Sequence, residues 1–286
     1  MERKITLDEV PSYSHWPSRL LGLTPFSQKT KTIESLTREF DDEKWGELLR
    51  KTLANPDLTL ADIERLEVDF TDTIPMFRGG DFFATSEERS FHEHIRLGSE
   101  VLAPHMNGAT ALVEMGAGYG SKILNLAQQK PFLGVPLFAG EFAASGRQLI
   151  SLLAEKLGLK IQVGPVNFAD LGSAGMDIPE GAVFFTYYAA HYIPQLPPDF
   201  TDIFARYRPK AVIHFEPCYE HFTSISLHDL MCRRCFELND YTRNLVSVLK
   251  QQEKMGRIQI ISERPKVLGE NPFLPVSVIE WKPLYK

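Results

Sequence analysis

The sequence predicts an α/β protein in which a seven-stranded, largely parallel sheet is covered by helices on both faces and preceded by a helical N-terminal extension. After Asn107-Gly108, short apolar runs alternate with segments of helical periodicity, a pattern typical of stacked strand–helix–strand units. The last two apolar runs are joined by a Pro- and Gly-rich connection without helical pattern, so this strand pair is expected to be antiparallel. The chain has 286 residues, 43% of them hydrophobic, which is enough to bury a full core.

The first hundred residues are predicted to be mostly helical. Apolar residues recur at helical spacing over residues 27–53, and Pro56 ends that run. Thr59 begins a second helical segment with a capping arrangement, and Ser86 caps a third. Residues 73–83, which lie between these two helices, are expected to form a loop.

The rest of the chain supplies the predicted sheet. We therefore predict two domains: a helical lid or substrate region over residues 1–106 and a sheet domain over residues 107–286. The seven strands are predicted at residues 111–114, 136–140, 161–163 with 166–168, 182–188, 211–215, 258–262 and 277–281. The intervening helices are predicted at residues 121–129, 145–157, 200–207 and 227–253.

Composition excludes several functional classes. The net charge is −6, from 31 basic and 37 acidic side chains, and no run of Lys or Arg offers nucleic acid a binding surface. The N-terminus lacks the apolar core of a signal peptide, and no segment reaches the roughly 18 apolar residues of a membrane span. Three cysteines are too few for a disulfide framework. We therefore expect a cytoplasmic protein that binds neither nucleic acid nor membrane.

A glycine-rich turn is the strongest functional signal. The segment Val113-Glu114-Met115-Gly116-Ala117-Gly118-Tyr119-Gly120 directly follows a predicted strand and opens a helix at Ser121. Glycines let the backbone turn sharply and approach a ligand closely, while a helix N-terminus offers unpaired N–H groups. The segment predicts a ligand site at this turn.

Three successive predicted strands each end in a carboxylate. Glu114 belongs to the first strand, Glu141 ends the second, and Asp170 follows the third. The carboxyl ends of parallel strands meet at one edge of a sheet, where an acidic residue after the second strand can accept both hydroxyls of a ribose. This arrangement predicts a nucleoside-type ligand in an acidic crevice.

Two cofactor classes compete for this crevice. The dinucleotide fingerprint requires a third glycine where this chain has Ser121, so NAD fits less well. An acidic residue followed by Gly-x-Gly-x-Gly resembles the first motif of the Rossmann-like (class I) S-adenosylmethionine-dependent methyltransferases, small-molecule acceptor type. Here the motif is Glu114 with Gly116, Gly118 and Gly120, and the resemblance extends over residues 105–286, including the terminal antiparallel pair.

The resemblance implies S-adenosylmethionine as the cofactor and assigns roles to single positions. Glu114 would neighbour the methionine amino group, and Glu141 would hold the ribose diol. Phe142 would lie against the adenine, and Asp170 would accept a hydrogen bond from its exocyclic amine. The expected cofactor contacts are completed by the three glycines of the turn, Phe168 and Tyr187.

His191 is the candidate general base. In the methyltransferase family the end of the fourth strand faces the transferring methyl, and His191 follows that strand here. A histidine with a pKa of about 6.5 takes a proton from a hydroxyl or amine at neutral pH. A packed, non-catalytic histidine is the open alternative.

Acceptor binding is expected from polar residues near the same rim, namely Tyr192, Glu216, His221 and, on the N-terminal loop, Arg78. The alternative for Arg78 is a loop salt bridge with Asp81. Glu216, Glu220, His221 and His191 are an alternative set for a divalent metal, but their spacing does not show that they converge and no all-oxygen acidic set is evident, so we expect no metal. Cys232 and Cys235 lie in a lone C-x-x-C within a predicted helix, which favours buried thiols.

The sequence thus predicts an enzyme that moves the methyl group of S-adenosylmethionine to a small polar metabolite by O- or N-methylation. An NAD-dependent oxidoreductase and a non-catalytic nucleoside-binding module remain the alternatives, and a homodimer is left open. The identity of the acceptor is not encoded in any motif of the chain.

Overall fold

The computed structural model describes residues 2–68, 70, 72–173 and 175–285, which form a mixed α/β structure built on one sheet. The strands are Arg3–Ile5 (β1), Thr73–Arg78 (β2), Asp81–Ser86 (β3), Leu112–Met115 (β4), Leu137–Glu141 (β5), Ile161–Asn167 (β6), Gly172–Ser173 (β7), Val183–Tyr187 (β8), Ala211–Pro217 (β9), Ile258–Gly269 (β10) and Val276–Pro283 (β11). The α-helices are Trp16–Leu20 (α1), Ile33–Leu36 (α2), Trp45–Ala54 (α3), Leu60–Glu67 (α4), Glu87–Leu102 (α5), Ser121–Ala127 (α6), Ala144–Lys156 (α7), Asp202–Ala205 (α8), Leu227–Asn239 (α9) and Leu245–Lys254 (α10).

The strand order is β1-β3-β2-β10-β11-β9-β8-β4-β5-β6-β7. Strands β6, β5, β4, β8 and β9 are parallel, and β11 is antiparallel to both β9 and β10. The α/β class, the seven predicted strand positions and the terminal antiparallel pair are confirmed. The predicted count of seven strands is wrong, because the described residues form 11 strands in this sheet.

The additional strands come mainly from the N-terminal region. Residues 73–83, predicted to be a loop, belong instead to the β2–β3 hairpin, whose two-residue turn is Gly79-Gly80. Both glycines have positive φ, which the turn requires and other residues rarely adopt. The hairpin joins the sheet through β10, where Leu268 is paired with Arg78.

A second correction concerns the long helix predicted at residues 227–253. The structure divides it into α9 and α10, because Asp240 takes a left-handed conformation with φ of 54° and ends α9.

Helices cover both faces of the parallel strands. Alternate side chains of β4 and β8 pack on opposite faces, with α6 and α7 on one face and α8 and α10 on the other. The carboxyl ends of β4, β5, β6, β8 and β9 meet at one edge, and the functional residues predicted from the sequence lie in or after the last residues of these strands, except Arg78, which ends β2. No helix within the described ranges is long and apolar enough to cross a membrane.

Candidate active site

The turn between β4 and α6 carries three glycines in the left-handed region. Gly116, Gly118 and Gly120 have φ of +78°, +58° and +88°. A Cβ added to Gly118 would lie 3.1 Å from a ring carbon of Trp45, and one added to Gly116 would overlap the Cβ of Ala189. The glycines therefore permit both the backbone path and the close approach of neighbouring residues.

Glu141 closes the adjacent strand and faces this turn. Its side chain, with 6% of its surface exposed, accepts hydrogen bonds from the backbone N–H groups of Gly118 (2.7 Å) and Ala143 (2.8 Å). Burial raises the pKa of the carboxyl to about 7, and the two N–H groups only partly oppose this. Backbone donors hold the carboxyl group at the turn, and the positive charge of Arg147 nearby also favours its ionised form.

Glu114 is buried beneath the same turn. Its carboxyl accepts a hydrogen bond from the backbone N–H of Ile123 (3.0 Å). Burial raises its pKa to about 8, and Glu141 adds to the shift through its negative charge. Glu114 and Glu141 thus form an acidic pair whose ionised state a nearby positive charge would stabilise.

Two adjoining cavities open at this edge. The smaller one, of about 110 Å³, is mainly apolar and is bordered by the predicted residues Glu141, Phe142 and Phe168. The larger one, of about 290 Å³, is bordered by Glu114, Tyr187 and His191. The walls shared by both cavities are Phe40, Trp45, Gly116, Gly118, Tyr188 and Tyr192.

The N-terminal region supplies the outer wall of both cavities. We call residues 33–54, which comprise α2, a π-helical stretch Thr37–Lys44 and α3, the covering segment. Its Phe40 contacts Tyr192 edge-on, with ring centroids 4.8 Å apart. Its Asp41 accepts a hydrogen bond from the backbone N–H of Ser145 at the start of α7 (2.6 Å), which holds the segment against the sheet domain.

His191 lies in the wall of the larger cavity and is paired with Glu216. The distance from His191 Nδ1 to Glu216 Oε2 is 3.3 Å, and the backbone N–H groups of Ala189 and Ala190 also donate to this carboxylate. Burial lowers the pKa of His191, although Glu216 opposes the shift. Burial raises the pKa of Glu216, but the histidine and the backbone donors outweigh it and the net shift is downward. The pair is therefore a neutral imidazole and a carboxylate at neutral pH, on the border of the larger cavity.

Five predicted site residues do not border either cavity, namely Arg78, Gly120, Asp170, Glu216 and His221. Glu216 lies behind His191 and orients it rather than reaching a ligand. His221 is held between Ser277 Oγ (2.7 Å) and Glu263 (2.8 Å). Glu216 lies near the end of β9 and His221 follows the strand, and the side chains of both are engaged by protein partners.

Asp170 and Arg78 are likewise occupied elsewhere. Asp170 is exposed and accepts hydrogen bonds from the backbone N–H of Gly172 and from Asn167, while Asn167 and Ala169 border the smaller cavity in its place. Arg78 forms ion pairs with Glu2 and Glu93, and Asp81 pairs with Lys4, so the alternative salt bridge between Arg78 and Asp81 is not formed.

The remaining predicted residues are placed as follows. Gly120 caps α6 and packs against Ile150, and Tyr187 reaches from the end of β8 to His94. Cys232 and Cys235 are buried free thiols. Over the described ranges, no group of three or more His, Cys, Asp or Glu residues is arranged to hold a metal ion.

Sequence reasoning missed several residues that border the larger cavity. His94 on α5, Lys122 in the first turn of α6 and Glu270 after β10 all lie there. The position of Lys122 directly after the glycine-rich turn is a usable sequence signal. His94 and Glu270 have no such sequence signal, because each lies far from the glycine-rich turn in the sequence.

The chain matches no protein-family model and no curated protein. Among solved structures it is similar to a mitomycin 7-O-methyltransferase, with 17% identity, coverage of 84% of this chain and 68% of that chain, and a TM-score of 0.42. It is also similar to a geranyl diphosphate C-methyltransferase from Streptomyces coelicolor in complex with Mg²⁺, geranyl diphosphate and S-adenosylhomocysteine, with 13% identity, coverage of 68% and 82%, and a TM-score of 0.47. A third is the methyltransferase domain of bacterial CtHen1-C, with 15% identity, coverage of 66% and 96%, and a TM-score of 0.43.

Proposed function

We propose that this protein transfers the methyl group of S-adenosylmethionine to a small polar metabolite. The observation that carries the proposal is the pairing of Glu141 with Gly118 at a glycine-rich turn, beside an apolar cavity bordered by Phe142 and Phe168. The strand order, with β11 antiparallel at the far side of β9, supports the same reading.

The residues present fit this cofactor. Phe142 and Phe168 suit a planar base, and the carboxylate of Glu141 suits a ribose diol. Glu114 and Glu141 are buried acids whose pKa values of about 8 and about 7 leave them poised to ionise beside a cation. When bound, S-adenosylmethionine supplies a methyl group on a positively charged sulfur, which becomes a neutral thioether once the methyl has left.

The chain's own contribution to the chemistry centres on His191. It borders the larger cavity as a neutral base and takes the proton from the acceptor's hydroxyl or amine. The carboxylate of Glu216 then stabilises the imidazolium through Nδ1. Phe40 and Trp45 line both cavities and place aromatic surface from the covering segment beside the proposed acceptor position.

Thermal unfolding with S-adenosylhomocysteine or NAD at matched concentrations tests the cofactor. A ligand that binds only the native state stabilises it by about 2.7 kcal/mol at one hundred times its Kd. We expect the Tm to rise with S-adenosylhomocysteine alone. A rise with NAD alone, or with neither ligand, would contradict the proposal.

A further inference from the structure

Lys122 places a positive charge at the larger cavity without a carboxylate partner. It lies in the first turn of α6 and borders the cavity. Its Nζ is 4.5 Å from the ring centroid of Phe91 and 5.4 Å from that of Tyr187. Within the described part of the chain no carboxylate lies at ion-pair distance from this ammonium, so two aromatic rings hold it in place but leave its N–H donors without an acceptor.

The other lysines that lie over aromatic rings have carboxylate partners. Lys44, which also borders the larger cavity, lies over Phe40, and its Nζ is 3.4 Å from Glu39. Lys31 pairs with the same carboxylate (2.6 Å), and Lys266 pairs with Asp229 (3.1 Å). Among the described residues, Lys122 is thus the one lysine held by rings alone.

The charge of Lys122 acts on the residues of the cavity wall. Burial is the main cause of the raised pKa of Glu114 and of the lowered pKa of His94, and the positive charge of Lys122 influences both groups. Both residues border the larger cavity. The Lys122 side chain is only partly buried, and its Nζ, unlike Nε2 of His94, is not among the buried polar atoms that lack a partner. The ammonium is therefore accessible beside this cavity.

The acidic residues of the cavity leave this charge unpaired. Burial raises the pKa of Glu114 to about 8, so this carboxyl group is mostly protonated at neutral pH in the free protein. Glu67 accepts a hydrogen bond from the hydroxyl of Tyr119 (2.6 Å). Glu270 also borders the cavity but forms no ion pair with Lys122. A negatively charged group of a ligand would supply the missing partner.

We propose that Lys122 binds the carboxylate of a ligand in the larger cavity. One unpaired ammonium matches the single negative charge of a carboxylate, whereas a phosphate monoester carries about −1.5 to −2 and would be repelled more strongly by the neighbouring acids. The inference rests on the proposed function, which offers two sources of a carboxylate. These are the amino-acid end of S-adenosylmethionine and an acidic acceptor.

The first arm of the test compares S-adenosylhomocysteine with 5′-methylthioadenosine, which lacks the amino-acid end, by isothermal titration calorimetry on the full chain. Lys122→Met keeps an unbranched stem over the two rings but removes the charge. If the cofactor supplies the carboxylate, this variant should bind S-adenosylhomocysteine about tenfold more weakly and 5′-methylthioadenosine within about twofold of the parent protein.

The second arm compares benzoate with its neutral analogue benzamide, on protein saturated with S-adenosylhomocysteine. If an acidic acceptor supplies the carboxylate, Lys122→Met should weaken benzoate binding about tenfold and leave benzamide binding within about twofold. Lys122→Arg keeps the charge and should stay within about threefold of the parent protein in the affected arm. Lys266→Met is the matched control, because it removes the same charge from a lysine that borders neither cavity.

A selective loss in either arm supports the inference and identifies the source of the carboxylate. Unchanged binding of both S-adenosylhomocysteine and benzoate, equal weakening of a carboxylate ligand and its neutral analogue, or the same losses in Lys266→Met would each overturn it. If the parent protein binds neither S-adenosylhomocysteine nor 5′-methylthioadenosine, the proposed function itself has failed. That result is seen before any substitution is made, and the inference falls with it.

Discussion

Histidines in the interior of the sheet and at its carboxyl edge are equally buried but differently bonded. His214 in β9 uses both ring nitrogens: Nδ1 contacts Thr186 Oγ1 (3.0 Å), and Trp281 Nε1–H donates to Nε2 (2.9 Å). At the edge, Nδ1 of His191 lies 3.3 Å from Glu216 and Nδ1 of His94 lies 2.7 Å from the hydroxyl oxygen of Tyr187, and neither Nε2 has a hydrogen-bond partner among the residues that the structure describes.

This comparison shows that burial alone does not separate structural histidines from candidate functional ones. All three have pKa values lowered by burial, and that of His214 falls to about 4. What differs is whether the second nitrogen has a partner, because a satisfied ring stabilises the fold while an unsatisfied one can bind a ligand. The following predictions test that distinction.

Replacing His191 gives the largest expected effect. His191→Gln removes the base but keeps a polar side chain, so we expect methyl transfer to the acceptor's hydroxyl or amine to slow by about 10²–10⁴-fold. Formation of S-adenosylhomocysteine measures the rate, and His105→Gln, which alters a histidine outside both cavities, is the control. A rate within about threefold of the parent protein would assign His191 to packing.

His214→Leu should produce the opposite pattern. The substitution leaves Trp281 Nε1 and Thr186 Oγ1 buried without partners, so we expect a loss of about 3 kcal/mol in the free energy of unfolding. Urea denaturation measures this loss, while the Kd for S-adenosylhomocysteine should stay within about twofold. Little change in the free energy of unfolding together with weakened cofactor binding would contradict the assignment of His214 to a structural role.

Glu141→Gln tests whether Glu141, at the carboxyl edge of the sheet, binds the cofactor. The amide is a weaker acceptor for Gly118 N–H and for a ribose, so we expect the Kd for S-adenosylhomocysteine to rise about tenfold. Asp170→Asn is the matched control, because Asp170 borders neither cavity, and its Kd should change by less than about twofold. Equal effects of the two substitutions on the Kd would contradict the assignment of Glu141 to cofactor binding.

The pH dependence of cofactor binding should show a smaller effect. Glu141 and Glu114 have pKa values raised to about 7 and about 8, so both bind protons in the free protein below those values. A cationic ligand favours their ionised forms, and affinity for S-adenosylmethionine should therefore increase about fivefold from about pH 6 to about pH 8. Calorimetry in buffers of different ionisation enthalpy should detect proton release. An affinity that is flat over this range would argue against contact between the acids and the cofactor.

The sequence was sufficient to predict those parts of the fold and the site whose signal lies in neighbouring residues. Apolar runs located all seven predicted strands, and the Gly116–Gly120 turn with Glu141 led to the two cavities. It was insufficient where distant segments meet. The ring of His94 is positioned by its contact with Tyr187, a residue 93 positions away in the sequence. The carboxylate of Glu216 lies beside His191 because three backbone N–H groups donate hydrogen bonds to it there. The β2–β3 hairpin was missed because Pro75 and Gly79-Gly80 have the composition of a loop.

That hairpin has a consequence for how the chain folds. Its strands are close in sequence and can pair early, but their place in the sheet depends on β10, where Arg78 is paired with Leu268 and Phe77 with Gly269. During synthesis the hairpin must wait until about 180 further residues have left the ribosome, a delay that follows from the sequence separation of these pairs. Folding should therefore end with a slow docking step that joins the early hairpin to the late strand, and the exposed edge of β2 is the point at which association with other chains competes with it.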